Sequence, residues 1–299
     1  IAEGPTYVGG IGALTSHQAD VRHVEMDADG MRMDLLRDEL DRLDAEGRKL
    51  GPDLRLSYAE EFSLHPKVVW DGSEYLVVWD DEREGGYRVF GQRVTAEGEL
   101  IGPNVPLTDL DWNADGVQLA QGESNLALAF KYDEMDGNHI GLIAFGPDLD
   151  EVGPLVTLSG TDSIGPDLVH SGDRYVAAWH RRDDVPGDAI WGAAVSADGT
   201  LLVPERRLTF GDSFARSKSL LPLGDRLLLV WAGAGPDGNY ELYSKMLTSE
   251  LDELTPRARI THDPAGTTGP VLAFGPEGEV GILFEDQRSG AWQVYFTRL

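Results

Sequence analysis

The sequence predicts an all-β fold, a six-bladed β-propeller with four-stranded blades, because three separate features recur along its 299 residues with one period of about fifty. One is an aliphatic residue followed by Ser or Thr: Leu14-Thr15, Leu56-Ser57, Leu107-Thr108, Leu158-Ser159, Leu208-Thr209 and Ile260-Thr261, in steps of 42, 51, 51, 50 and 52 residues. Another is an aromatic closing an apolar run, at Trp79, Phe130, Trp179, Trp231 and Phe284. The third is a turn glycine about seven residues ahead of that aromatic, at Gly72, Gly122, Gly172, Gly224 and Gly278, with Gly30 extending the series towards the N-terminus.

Residues 1–15 are best read together with the end of the chain. The last copy stops at Leu299, which aligns with Val94 at the end of a third strand, so that copy lacks its fourth. In the clearest copy Thr108 follows Val94 by 14 residues, and Thr15 follows Ile1 by 14. A strand near Val8 to Leu14 is therefore expected to pair with Gln293 to Leu299, closing the ring and removing two open edges. The first copy, residues 16–57, is short, and Met33, Leu36, Leu40 and Leu43 have helical spacing. It is either a truncated blade or a partly helical one.

Residues 58–108 give the template. Pro66 to Trp70 is a first strand, and Asp71-Gly72 a hairpin turn into Tyr75 to Trp79. An acidic loop, Asp80 to Gly86, leads to a third strand, Tyr87 to Val94, and Glu97-Gly98 turns into a fourth that ends at Leu107-Thr108. Residues 109–159, 160–209, 210–261 and 262–299 repeat the plan, all within a single domain. Helical repeats of this length are disfavoured because the apolar runs are short, rich in Val and aromatics, and bounded by glycine turns.

A formal charge of −27, from 52 acidic and 25 basic residues, repels phosphate backbones and anionic lipid heads, so neither nucleic acid nor a membrane surface is an expected partner. The charge favours metal cations and basic ligands, or serves only solubility. The absence of cysteine excludes disulfides, thiolate metal sites and cysteine nucleophiles. No run of 18 apolar residues is present, so membrane insertion by helices is not expected. The chain opens at Ile1 without a leader, as a trimmed or mature form would.

The copy HPKVVWDGSEYLVVWDDEREGGYRVFGQRVTAEGELIG resembles the VVWDGxxYLVVWxDxR…YGQRVxxDG repeats of bacterial secreted and surface β-propeller proteins. The resemblance spans residues 65–109 and, more thinly, 161–210 and 263–299. It implies the fold and an extracellular, periplasmic or cell-surface location, and it brings no catalytic residues.

In a propeller of this plan, the loops between second and third strands and those joining consecutive blades share one face, and here they are long and acidic. Asp81 and Arg83 recur as Asp286 and Arg288, which reads either as a ligand clamp or as a repeated salt bridge. His180 and Asp183 are further candidate ligand-binding residues on that face. His17, His65 and His262 map near it as well, without metal-motif spacing. Asp111-Trp112-Asn113-Ala114-Asp115-Gly116 fits D-x-[DN]-x-[DN]-G. That spacing aims the side chains of Asp111, Asn113 and Asp115 at one point, with the Val117 carbonyl and Asp109 completing a calcium shell. Position 12 of the motif is Gly122, so an EF-hand is excluded, and Asx-type turns are the alternative reading.

No nucleophile elbow, P-loop or HExxH motif occurs. The leading expectation is a monomeric binding module that recognises a protein or glycan through its acidic face. The alternative is a carbohydrate-active hydrolase or lyase with carboxylates over the central channel. A structural surface repeat protein is the third reading. Two deeply buried facing acids would favour the enzyme.

Overall fold

The structure, a computed structural model, describes residues 32–36, 39–43, 48–49, 51–59, 62–149, 153–183, 187–210, 215–236, 238–275 and 278–299. These form six antiparallel sheets in chain order. Sheet 1 holds β1 (Arg32–Leu36), β2 (Glu39–Leu43) and β3 (Leu54–Arg55), and sheet 2 holds β4 (Ser63–Trp70), β5 (Glu74–Asp81), β6 (Arg88–Thr95) and β7 (Leu100–Pro106). Sheet 3 has β8 (Asp115–Gln121), β9 (Leu126–Glu134), β10 (Gly137–Phe145) and β11 (Val156–Thr157). Sheet 4 has β12 (Ser163–Ser171), β13 (Arg174–Asp183), β14 (Gly187–Ser196) and β15 (Leu201–Arg207). Sheet 5 has β16 (Arg216–Leu223), β17 (Arg226–Ala234), β18 (Tyr240–Thr248) and β19 (Ala258–Arg259), and sheet 6 has β20 (Thr267–Phe274), β21 (Val280–Asp286) and β22 (Gln293–Arg298). Among the described residues the only helical piece is a 3-10 turn at Leu110–Trp112.

Each sheet is a meander, and the first strands of sheets 2 to 6, β4, β8, β12, β16 and β20, touch in series. They line an axis, and the later strands of each sheet lie progressively outward. This is the radial, propeller-like stacking that the repeat implies. Both faces of each inner sheet are covered, which is why the strands read as unbroken apolar runs rather than alternating ones. Five hydrophobic cores follow, one between each consecutive pair of sheets. The core between sheets 4 and 5, for example, packs Val176, Ala178 and Ile190 against Leu220, Leu229 and Trp231. The blade-closing aromatics Trp79, Phe130, Trp179, Trp231 and Phe284 are all core residues.

The aliphatic–hydroxyl signature has a specific mechanical role. Leu107 N–H donates to the Val89 carbonyl while Thr108 Oγ1 accepts from Val89 N–H at 2.9 Å, so two consecutive residues satisfy both backbone groups of one strand residue. Leu158-Ser159 does the same to Ile140, Leu208-Thr209 to Ile190, and Ile260-Thr261 to Leu242. The hydroxyls are buried, where an unpaired N–H costs about 1–3 kcal/mol. The period in the sequence is thus a period of hydrogen-bonded strand clamps.

Two sequence expectations change. Met33, Leu36, Leu40 and Leu43 lie on a hairpin, not a helix: Met33 stands opposite Arg42, Leu36 opposite Glu39, Leu40 opposite Leu35 and Leu43 opposite Arg32, so their spacing marks no helical stripe. The acidic loops are also shorter than expected. Asp80 and Asp81 end β5 and are fully buried, and Asp133, Glu134, Asp183, Glu285 and Asp286 likewise lie within strands.

Sheet 6 has three strands and ends with the chain. The proposed closing strand, Val8 to Leu14, lies outside the described residues. The face of sheet 6 that points away from sheet 5 exposes Leu283 (43 %), Val294 (72 %) and Phe296 (61 %). The residues that match Val294 in sheets 2 to 5, Val89, Ile140, Ile190 and Leu242, are all at 0 %.

Candidate functional site: the bulged ends of the inner strands

Every axis-lining strand from β4 to β20 breaks its register once, at the same place. The shifts fall between Leu64 and Lys67, Asp115 and Gln118, Ile164 and Asp167, Arg216 and Lys218, and Thr268 and Val271. Within each break one residue is left-handed: His65 (φ 53°), Gly116 (68°), Gly165 (59°), Ser217 (36°) and Gly269 (61°). A β-bulge of this kind re-aims the neighbouring side chains. A left-handed backbone is costly for His65 and Ser217, which carry a Cβ.

These bulges stand side by side around the axis on five consecutive sheets, an incomplete ring among the described residues, and titratable side chains gather on it. On β4 and β5, His65 Nδ1–H donates to both oxygens of Asp80 at 3.0 and 3.1 Å, and Asp80 Oδ1 also accepts Gly116 N–H of the next sheet at 3.2 Å. On β8 and β9, Asp115 Oδ2 pairs with Lys131 Nζ at 2.8 Å. On β12, Asp167 accepts Leu168 N–H at 3.0 Å and Leu220 N–H at 2.8 Å, so it also bridges two sheets. Lys218 Nζ reaches back to the Gly165 carbonyl. A Cβ on Gly165 would lie 3.5 Å from the His180 ring and 3.8 Å from Lys218 Nζ, so imidazole and amine flank one glycine. Thr268 Oγ1 donates to Ser217 Oγ at 3.2 Å. Glu285 stands opposite Thr268 at the same register as Asp80 opposite Leu64. Its carboxyl has no hydrogen-bond or ion-pair partner among the described residues.

Burial sets the protonation of this ring. It raises the Glu285 carboxyl, and raises Asp115 and Asp167 despite the opposing pull of Lys131 and Lys218. It lowers Lys67 against the attraction of Asp80 and Asp167, and brings Lys218 down to about 8. It brings His180 down to about 4, with repulsion from Lys218 adding to the effect. His65 moves the other way: burial is the largest single influence and would lower it, but the hydrogen bond to Asp80 and the attraction of the Asp80 charge together outweigh it.

The sequence-derived sites divide. His180 is on the ring. Asp81 and Arg83 form a salt bridge rather than an open clamp. Asp81 accepts the Trp79 indole N–H at 2.9 Å and the Arg83 guanidinium, which lies 4.0 Å over Phe90 and also reaches Asn104 at 3.0 Å. Asp286 and Arg288 repeat it at 2.6 Å, with the guanidinium 4.4 Å from Tyr295. Asp183 closes β13 opposite Gly187.

The calcium expectation loses two of its side chains to protein partners. Asn113 accepts Tyr87 N–H at 3.0 Å and donates to Asp133 at 2.6 Å, and Asp115 is held by Lys131. Asp109 accepts Asp111 N–H at 3.2 Å, Asn113 is left-handed at φ 45°, and the Val117 side chain is in the core. The bond from Asp111 N–H to Asp109 is that of an Asx turn on the way into β8.

The ring itself escaped the sequence reading, because its members are scattered singly over five repeats. One signal was present. His65-Pro66, Gly165-Pro166 and Gly269-Pro270 place a proline after the left-handed residue, where the missing N–H breaks the ladder.

No family model matches the chain, and no curated protein matches it either. Solved structures do. The chain is similar to a mutant of a Synechocystis apocarotenoid oxygenase at 10 % identity and a TM-score of 0.56, over 97 % of this chain and 73 % of that one. A puromycin-hydrolyzing peptidase of Mycobacterium tuberculosis matches at 15 % identity and TM-score 0.54, where 97 % of this chain spans 45 % of the other. An endo-arabinase from Bacteroides thetaiotaomicron matches at 12 % identity and TM-score 0.44, over 81 % of this chain and 97 % of that one. At these identities the likeness concerns the fold.

Proposed function

We propose that the ring of bulges is the working site of a carbohydrate-active hydrolase, secreted or surface-held, with a glycan substrate entering over the axis. One observation carries this reading. The ring presents carboxyls in two different settings at the same register, Glu285 without a partner and raised by burial, and Asp80 gripped by His65 and the Gly116 N–H. Glycoside hydrolysis needs such a division, a carboxyl that still holds its proton to protonate the leaving oxygen and a carboxylate that activates water or attacks. In this scheme Glu285 supplies the proton and Asp80 the second carboxyl, while Lys67, Lys218 and Ser217 offer donors, and Thr268 an acceptor, to sugar hydroxyls. The neighbouring acids at the strand ends suit the task less, since Asp81, Asp188 and Asp286 are engaged by Arg83, Arg216 and Arg288.

The test is a panel of arabinan, xylan and other plant and bacterial polysaccharides, read by reducing-end release. Glu285→Gln and Asp80→Asn are each expected to lower kcat by at least about a hundredfold with the fold intact. Binding without turnover on every substrate would leave a glycan- or protein-binding module, and neither binding nor turnover a structural repeat protein.

We also propose that the six sheets close into a six-bladed ring. Residues near Val8 to Leu14 then form the fourth strand of sheet 6, with Leu14 and Thr15 clamping Val294 as Leu107 and Thr108 clamp Val89.

A further inference from the structure

A second cluster lies away from the ring, on the tight β9–β10 hairpin. Glu134, Asp136 and His139 bring one ligand atom each within 4.8 Å of one another. The hairpin explains the convergence. Glu134 stands opposite Gly137, which has no side chain, so the space diagonal to it is open to His139, one pair further along the same face. Asp136, in the turn, folds back to place Oδ1 2.9 Å from His139 Nε2.

The orientation of the imidazole is fixed from outside the cluster. His139 is only 7 % exposed, and its Nδ1 lies 3.2 Å from the Ser159 carbonyl. That carbonyl belongs to the repeated aliphatic–hydroxyl signature, and in the four other described copies it receives a side-chain N–H. Arg55 donates to Ser57 O at 2.8 Å, Arg88 to Thr108 O at 2.5 Å, Arg207 to Thr209 O at 2.7 Å and Arg259 to Thr261 O at 2.7 Å. Arg88 and His139 occupy the same place, one residue before the strand residue that the signature clamps. A carbonyl only accepts, so Nδ1 of His139 carries a proton, and Nε2 is the atom left to face the carboxylates, donating to Asp136 when the ring is charged and free to coordinate when it is neutral. Nε2, Asp136 Oδ1 and a Glu134 carboxylate oxygen thus converge on one point, which a cation can occupy in place of the proton shared at 2.9 Å. A backbone carbonyl holding the far nitrogen of a histidine is also how metal-ligating imidazoles are oriented.

We propose that Glu134, Asp136 and His139 bind a divalent transition-metal ion, with zinc the best match to one imidazole and two carboxylates. Three protein ligands at the exposed tip of a hairpin leave a fourth position open to solvent or to an outside donor. The site is independent of the hydrolase reading, and nothing in that chemistry requires it.

The test is titration of the intact chain with zinc chloride by calorimetry, with the melting temperature followed in parallel. His139→Arg is the informative variant, because arginine is what sheet 2 uses at this position and it can keep the bond to Ser159 O. The expected result is one zinc ion per chain and a raised melting temperature. Binding should weaken at least tenfold in His139→Arg and in Asp136→Asn, while the metal-free melting temperature of His139→Arg stays near that of the unaltered chain. On zinc addition the Nε2 nitrogen resonance of His139 should shift. Absence of zinc binding would overturn the proposal. So would undiminished binding in His139→Arg, or calcium binding as tightly as zinc, because either outcome describes acidic oxygens without a histidine ligand.

Discussion

Closure of the ring can be tested at a single residue. Val294 is 72 % exposed, whereas its four counterparts are at 0 %, and Leu283 and Phe296 share its face. If sheet 1 and a strand from residues 1–15 cover that face, the three side chains lose roughly two side chains' worth of water-exposed surface. At about 1.5–3 kcal/mol per fully buried aliphatic or aromatic side chain, that is about 3–5 kcal/mol as an upper estimate. Removal of residues 1–15 should then lower the melting temperature by about 5–15 °C in a chain of this size. Val294→Asp places an unpaired charge in the same interface and should destabilise by several kcal/mol. At an open surface the same change stays within about 0.5 kcal/mol.

The two perturbations must also interact, and this separates closure from a general loss of stability. With residues 1–15 gone the interface is already open, so Val294→Asp should have little further effect, and the double variant should fall well short of additivity. Thermal and urea denaturation of the four proteins reads this directly. Additive effects, or a Val294→Asp chain as stable as the parent, would refute the closed ring even if the truncated protein were itself unstable.

Further outcomes follow from the ring and the strand clamps. Thr209→Val removes the acceptor of the buried Ile190 N–H and should cost about 1–3 kcal/mol, while Thr209→Ser, which keeps the oxygen, should cost less, by urea midpoint. His180 titrates near 6.5 when unfolded and about 4 in the folded chain, so between those values the unfolded state binds more protons. Its contribution is complete above pH 6.5 and is lost as the pH falls towards 4, an effect on the order of 3 kcal/mol. His180→Gln should flatten that limb of the stability–pH profile, and an unchanged slope would remove His180 as its source. Raised by burial, Glu285 should set the upper pH limit of any glycan hydrolysis, with the limb displaced above the usual glutamate range in the rate–pH profile.

The fold was readable because its periodic features have periodic causes. Leu107-Thr108 recurs since sheets 2 to 5 each need both backbone groups of one third-strand residue satisfied, and the aromatic at Trp79 recurs since each copy packs into an inter-sheet core. Gly122 kept its place in the turn series for a different reason. A Cβ there would meet the Tyr175 hydroxyl at 2.5 Å, so close approach rather than turn geometry demands glycine. The site was not readable for the complementary reason. Asp80, Lys131, His180, Ala232 and Glu285 occupy one repeat position, each following its strand-ending aromatic, and they share no chemistry. A search for recurrence passes over them, and a search for local motifs sees one residue at a time. Within the D-x-[DN]-x-[DN]-G match, Asn113 and Asp115 have longer-range partners in Asp133 and Lys131 that a local motif does not reveal.

That contrast is itself an argument about where function lies. Repeat positions that serve the scaffold are held to one residue type, as at the aliphatic–hydroxyl clamp, because each sheet imposes the same demand. The position that follows the aromatic is fixed in backbone geometry by the five bulges, yet it has diverged into an acid, a lysine, an imidazole, a methyl group and a second acid. Uniform backbone with divergent side chains is the expected state of a repeat position freed from the scaffold's common demand and open to an asymmetric ligand. His65 strengthens the point. Three of the five bulges use glycine, and His65 accepts a left-handed backbone where glycine would be unstrained. What it gains is the grip on Asp80. His65→Gly should therefore relieve backbone strain while releasing Asp80, so the melting temperature should hold or rise as kcat falls. A variant that loses stability and activity together would make His65 a packing residue and remove the case for strain held in the service of the site.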